Sequence, residues 1–300
     1  MVSIKFALVS LTVALSLSAH VPVDAQLLRN ALQERRGAAR DEPPLPAGAR
    51  VLRDIAYGGH AQQRYDVYLP PSPQRAPILV VVHGGGWRRG TKDHPGLMPN
   101  KAAYWLPRGH VLVSIEYRLL PDAKPLQQAE DVARAVAAIQ RAAPGWGGDP
   151  SRMVLMGHSA GAHLVALLAA KPAMLAAAGA SRPKGAVSLD SAAMDVPAMM
   201  AIPRIPKLYH DAFGTDRDGW IAASPYHHLS RDSLPLLAVC SSFRADACAQ
   251  ARALREKAQG SGVRIEVLPE PLTHMEINRE LGAPSDYTGR VAAFVAELLR

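Results

Sequence analysis

The sequence predicts an α/β domain built on a mostly parallel sheet of about eight strands, with helices on both faces and a small irregular excursion. Three observations predict it. From residue 78 onward, short apolar runs alternate with longer stretches whose apolar residues recur at helical spacing, and strands that alternate with helices imply a parallel sheet. The run Ile78-Leu79-Val80-Val81-Val82 is apolar at every position, as a strand covered on both faces must be. Finally, 300 residues that are 48% hydrophobic and 20% charged can bury one substantial core.

The first stretch stands apart from that domain. Lys5 precedes an apolar run at 6–17, and Val23-Asp24-Ala25 places small residues where a signal protease would cut before Gln26. Residues 1–25 therefore read as a secretory signal peptide, and the mature chain is expected to be secreted or periplasmic. The run is too short to span a bilayer, and no later segment approaches the necessary length. Residues 26–50 pass from a helical stretch at 26–36 into the Pro-rich Asp41-Glu42-Pro43-Pro44-Leu45-Pro46, an N-terminal arm or linker with little core of its own. Residues 51–300 form the single domain.

Within it, runs at 51–57 and 63–69 flank Gly58-Gly59-His60, and Tyr65, Val67 and Leu69 alternate with polar positions, which predicts an antiparallel hairpin. Residues 70–77 are a turn-rich break before the apolar strand. Strands are then expected at 111–117, 153–156, 185–189, 234–239 and 263–268, with helices at 127–141, 159–170, 246–259 and 285–299. The piece from Asp190 to Leu234 holds Pro197, Pro203, Pro206 and Pro225 and no strand pattern; such irregular excursions usually cover a binding site. Its aromatic residues Tyr209, Phe213, Trp220 and Tyr226 are expected to pack against the sheet.

Composition narrows the function. The net charge of +8 is spread as scattered arginine, without the basic stripe and interleaved aromatics that nucleic-acid binding needs, so it reads as surface solvation. The two cysteines, Cys240 and Cys248, bracket seven residues; an exported chain permits a disulfide between them, the alternative being two buried thiols. The histidines are dispersed and none falls at ligand spacing from the cysteines, so neither a metal nor another cofactor is expected.

Two motifs carry chemistry. Gly157-His158-Ser159-Ala160-Gly161 joins an apolar strand to an Ala/Leu-rich helix, and in such a sharp turn the strand and helix pass so close that residues two before and two after the serine must nearly lack side chains. The turn lifts the Ser159 hydroxyl out of the sheet and makes it the nucleophile candidate. His83-Gly84-Gly85-Gly86-Trp87 follows the apolar strand, 76 residues before Ser159. Backbone N–H groups in a glycine run can approach an anionic tetrahedral intermediate, so Gly85, Gly86 and Ala160 are the oxyanion-hole candidates. Trp87, beside that loop, is the candidate wall of a substrate pocket.

These motifs, in this order, resemble the α/β-hydrolase family, in particular its hormone-sensitive-lipase-like and kynurenine-formamidase-like esterase branches, over roughly residues 50–300. The elbow departs from the commonest hormone-sensitive-lipase pattern in having His158 where aspartate is usual, and Trp87 follows the glycines as in formamidase-like members. The resemblance implies a triad in the order serine, acid, histidine. Among the later histidines only His274 follows the final strand, where the family's base sits; His163 is expected to pack against the sheet. Asp246, 28 residues before His274 and just past the strand at 234–239, matches the acid's position, although an aspartate there also suits a helix start. Asp190 and Asp195, after the preceding strand, are the alternatives. A Cys240–Cys248 bridge would then close the loop carrying Asp246. The expectation is a serine hydrolase of small carboxylic esters acting through an acyl-enzyme. An aryl-formamidase-type amide hydrolase and a non-catalytic binding relative are the rivals.

Overall fold

The computed structural model describes residues 43–300, which belong to one unit, Glu42–Arg300. The signal peptide read at 1–25 and the helix at 26–36 lie outside the described residues. Of the arm read at 26–50, its last residue already begins a strand.

The strands are β1 (Arg50–Ala56), β2 (Arg64–Leu69), β3 (Ala76–Val82), β4 (Val111–Ile115), β5 (Gly148–His158), β6 (Gly185–Leu189), β7 (Leu236–Ser241) and β8 (Ile265–Glu270). They form one eight-stranded sheet in the order β1-β2-β4-β3-β5-β6-β7-β8. The hairpin β1–β2 and the β2–β4 pair are antiparallel, and every pair from β4 to β8 is parallel. The apolar β3 lies inside the parallel part and is buried along nearly its whole length, which its unbroken apolar run required.

One core fills the space between the sheet and the helices Pro125–Ala142 and Ala160–Ala170, and a second lies on the opposite face beneath Pro99–Trp105 and Asp286–Leu298. Every residue of Ala160–Ala170 is buried. Such a helix is apolar all round because neighbours surround it.

The excursion forms four short helices, Val196–Met200, Lys207–Phe213, Arg217–Ala222 and Pro225–His228. None is long enough to display a 3.6-residue period, which is why the pattern read as irregular. Local chemistry starts them nonetheless: the Asp195 carboxylate accepts from Ala198 N–H, Asp216 accepts from the N–H groups of Asp218 and Gly219, and Pro225 sits in the first turn.

Register places the site. Val82 pairs with Gly157, His158 with Leu189, Leu189 with Val239, and Ser241 with Glu270. The parallel strands thus end together, and whatever follows β3, β5, β6, β7 and β8 gathers at one edge of the sheet.

Candidate active site

Ser159 follows β5 with φ 55° and ψ −115°, a conformation that costs a non-glycine residue free energy and persists only because its surroundings enforce it. The enforcement is steric. A Cβ at Gly157 would stand 2.2 Å from the Gly161 carbonyl oxygen, and one at Gly161 would stand 2.3 Å from that of Val82. The Ser159 N–H donates to the Leu189 carbonyl at 2.9 Å, tying the turn to the end of β6.

The glycine loop leaves β3 at the same edge. A Cβ at Gly84 would lie 2.9 Å from Ser159 Cβ, so the loop touches Ser159. Gly85 and Gly86 have φ of 119° and 62°, and neither N–H donates a backbone hydrogen bond among the described residues. His83, first in the motif, is buried and stacked on Tyr117, and its Nδ1–H donates to the Gly84 carbonyl at 2.7 Å. Burial pulls its pKa down to about 4, so it is neutral and orients the loop.

Trp87 does not wall a pocket as its position in sequence suggests: it is 3% exposed. Its indole N–H donates to His163 Nδ1 at 3.2 Å, and its ring meets Phe213 and Tyr209 with centroids 4.9 and 5.9 Å away. His163 Nε2–H in turn donates to the Ala223 carbonyl at 2.7 Å. His163 therefore bridges the glycine loop and the excursion, and burial lowers its pKa to about 4. Arg88 with Asp211, and the Leu208 side chain over Gly86, complete the fastening of the loop to helix Lys207–Phe213.

His274 opens the helix His274–Arg279 after β8, where Thr273 and Glu276 form a capping box. Its Nε2 lies 3.0 Å from Ser159 Oγ, and its Nδ1 lies 2.5 Å from Asp190 Oδ2. With a carboxylate at Nδ1, that nitrogen carries the proton and Nε2 is free to accept one. His158, the unusual elbow residue, lies under the His274 ring at a centroid distance of 4.6 Å and donates Nε2–H to the His274 carbonyl at 2.9 Å. Burial holds its pKa well below the ordinary histidine value, so it supports the base as a neutral group.

The acid position needs correction. Asp190, not Asp246, faces His274. Asp246 sits in the first turn of helix Ala245–Gln259, its side chain 45% exposed, accepting from Ala247 N–H and from Arg244 Nη2. No carboxylate stands at the end of β7, whereas Asp190 is the first residue after β6, as Ser159 is the first after β5. Asp195, the other alternative, caps helix Val196–Met200.

Asp190 is fully buried, and its Oδ1 accepts from Ser241 N–H at 2.8 Å. Burial alone would raise its pKa, but the hydrogen bond and charge of His274 and the Arg244 guanidinium outweigh that and hold it down to about 2. Arg244 Nη1 donates to Asp190 Oδ2 at 2.8 Å and lies 2.9 Å from His274 Nδ1. Cys240 and Cys248 form a disulfide, and the loop it closes carries Ser241 and Arg244, both partners of Asp190, as well as Asp246. Among the described residues no group of three or more His, Cys, Asp or Glu side chains is placed to hold a metal ion, and no helix is long and apolar enough to cross a membrane.

The BD-FAE family model matches residues 65–186, a stretch that includes the glycine loop and the elbow and stops before Asp190. A probable isoprenylcysteine alpha-carbonyl methylesterase of Arabidopsis thaliana is 36% identical over 117 residues, 39% of this chain and 27% of that protein. The kynurenine formamidase of Danio rerio is 32% identical over 120 residues, 40% of this chain and 39% of that one. The matched segments thus span less than half the length of these curated relatives. Among solved structures, esterase B from Lactobacillus Rhamnosis, inhibited by a tributyrin phosphonate, superposes with a TM-score of 0.71 at 18% identity, covering 92% of this chain and 94% of that one. The chain has the α/β-hydrolase fold. Within that fold, the glycine loop and Ser159 lie in the stretch shared with relatives. The acid and base lie beyond the matched family model, so their assignment rests on geometry.

Proposed function

We propose that the protein is a carboxylic ester hydrolase that works through an acyl-enzyme on Ser159. One observation carries the reading: Ser159 Oγ, His274 Nε2, His274 Nδ1 and Asp190 Oδ2 form an unbroken line of contacts of 3.0 and 2.5 Å, beginning at a backbone-strained turn. In the reaction, Ser159 Oγ attacks the ester carbonyl as its proton passes to His274 Nε2. Asp190 keeps the Nδ1 proton in place and stabilises the imidazolium without taking that proton. The anionic oxygen is received by the N–H groups of Gly85, Gly86 and Ala160, and each such donor contributes roughly 10²–10³ in kcat. His274 then returns its proton to the departing alcohol, and water repeats the sequence in the second half.

The substrate is a small ester, and the disulfide together with the apolar run at 6–17 supports export to an oxidising compartment. Turnover of p-nitrophenyl acetate and labelling by a p-nitrophenyl phosphonate test the reading. Mass spectrometry should find the phosphonyl group on Ser159, and an unlabelled Ser159 in otherwise folded protein would overturn it. A second reading, hydrolysis of an aryl formamide, is favoured by the likeness to a kynurenine formamidase and by Trp87 after the glycines. Faster turnover of N-formylated aryl amines than of short esters would select it.

A further inference from the structure

Resting on the ester-hydrolase reading, we infer that Arg244 is a positioning residue of the catalytic unit: it is the countercharge that keeps the buried acid Asp190 ionised and fixed in plane while His274 is neutral. The geometry is convergent. Asp190 Oδ2 receives His274 Nδ1–H and Arg244 Nη1–H, at 2.5 and 2.8 Å, and Oδ1 receives Ser241 N–H at 2.8 Å, so among the described residues these three groups hold the carboxylate. A carboxylate with no exposed surface cannot remain charged on N–H dipoles alone without heavy cost. In the resting state the base must be uncharged to accept the serine proton. The cation that balances Asp190 must then come from elsewhere, and among the described residues Arg244 is the one in contact with it.

The other groups around the pair do not supply that charge. His158, from the end of β5, is buried and neutral. Tyr287, from helix Asp286–Leu298, and Tyr209, from the excursion, are phenols whose pKa burial raises further. On the base's own helix, Glu276 is an anion committed to the capping box. Lys101 lies farther off on helix Pro99–Trp105, its ammonium bound to the carbonyl and side chain of Asn278.

Arg244 is itself held from several sides. Its Nη2 donates to Asp246 Oδ2 at 3.1 Å, and its N–H donates to the Ser241 carbonyl at 3.0 Å. The disulfide closes the segment between Cys240 and Cys248, so both anchors of Asp190 contributed from beyond β7, Ser241 N–H and Arg244, ride on one bridged loop. Asp246, which looks like the acid in sequence, thereby acts at one remove, steering the arginine that holds the acid.

The test is steady-state hydrolysis of p-nitrophenyl acetate between about pH 4 and pH 9 by the wild type, Arg244→Met and Arg244→Lys. Arg244→Met should lose about tenfold in kcat at pH 8 with KM little changed, and its acidic limb should move up by about one pH unit, because removing a cation 2.9 Å from His274 Nδ1 and 2.8 Å from Asp190 Oδ2 lets the coupled pair take up a proton more readily. Arg244→Lys keeps the charge and should restore the position of the acidic limb. Cys240→Ser with Cys248→Ser should lower kcat in the wild type and add little in the Arg244→Met background, since both changes release the same group. Unchanged kcat and pH profile in Arg244→Met, or a loss confined to KM, would overturn the inference. If the wild type neither turns over the ester nor reacts with the phosphonate, it is the hydrolase reading that fails. The arginine–acid linkage is then read without substrate from acid unfolding followed by circular dichroism, where Arg244→Met should unfold at higher pH than wild type but not when combined with Asp190→Asn.

Discussion

Ser159 and Asp190, the nucleophile and the acid of the proposed mechanism, stand one strand apart and are held in place by different physics. Ser159 is held by backbone: two glycines whose missing side chains let strand and helix touch, and a positive φ that the surrounding chain enforces. Asp190 also sits at positive φ, 59°, but its carboxylate is held by side chains and charge: an imidazole, a guanidinium, one N–H and the disulfide-closed loop behind them. A backbone device fails sterically when anything is added to it. A charge device fails electrostatically when one partner is neutralised, even if nothing changes shape.

Substitutions can break this contrast at either end. The largest effect is expected from Asp190→Asn, which leaves the volume unchanged but traps the imidazole in the wrong tautomer and should cost about 10⁴ in kcat with the fold intact. The same variant carries a stability signature. Asp190 has its pKa lowered in the folded state to about 2, so its contribution is present above the unfolded carboxylate value and is lost as pH falls through that folded value. Removing it should flatten the fall in melting temperature between about pH 4 and pH 2.

Gly161→Ala tests the backbone end. The new methyl would meet the Val82 carbonyl oxygen at 2.3 Å and the His83 carbonyl oxygen at 2.5 Å, so the turn must shift. A loss of over a hundredfold in kcat is expected together with a lowered melting temperature, the costs of an ångström-scale misplacement and of overpacking. A catalytic loss without any change in melting would contradict the steric account.

Loss of the disulfide should act on stability more broadly. Reduction, or Cys240→Ser with Cys248→Ser, is expected to cost roughly 2–3 kcal/mol by the loop-closure model, read as a lowered midpoint in urea. The smallest effect is expected from Asp246→Asn. Asparagine serves a helix start nearly as well as aspartate, so stability should move by a few tenths of a kcal/mol and kcat by only a few-fold through Arg244. A collapse of turnover in this variant, with normal rates in Asp190→Asn, would return the acid to Asp246.

The sequence by itself determined the sheet and the sharp turn that carries Ser159. An apolar run such as 78–82 has no place except inside a covered sheet, and the elbow needs its glycines within two residues of the serine, so both are written in adjacent positions where steric rules act. Tertiary structure alone decided which aspartate meets His274, the arginine behind it and the burial of Trp87. Asp190 lies 84 residues from His274, and they meet because parallel strands end in register at one edge. Charge and burial depend on distance in space: Asp246, matched by motif position, turned to solvent in a helical turn, while Asp190, at the end of a buried strand, is satisfied by an imidazole, a guanidinium and the Ser241 N–H. The short helices of the excursion, two of them capped by aspartates and one fastened to the glycine loop, were settled at the same level.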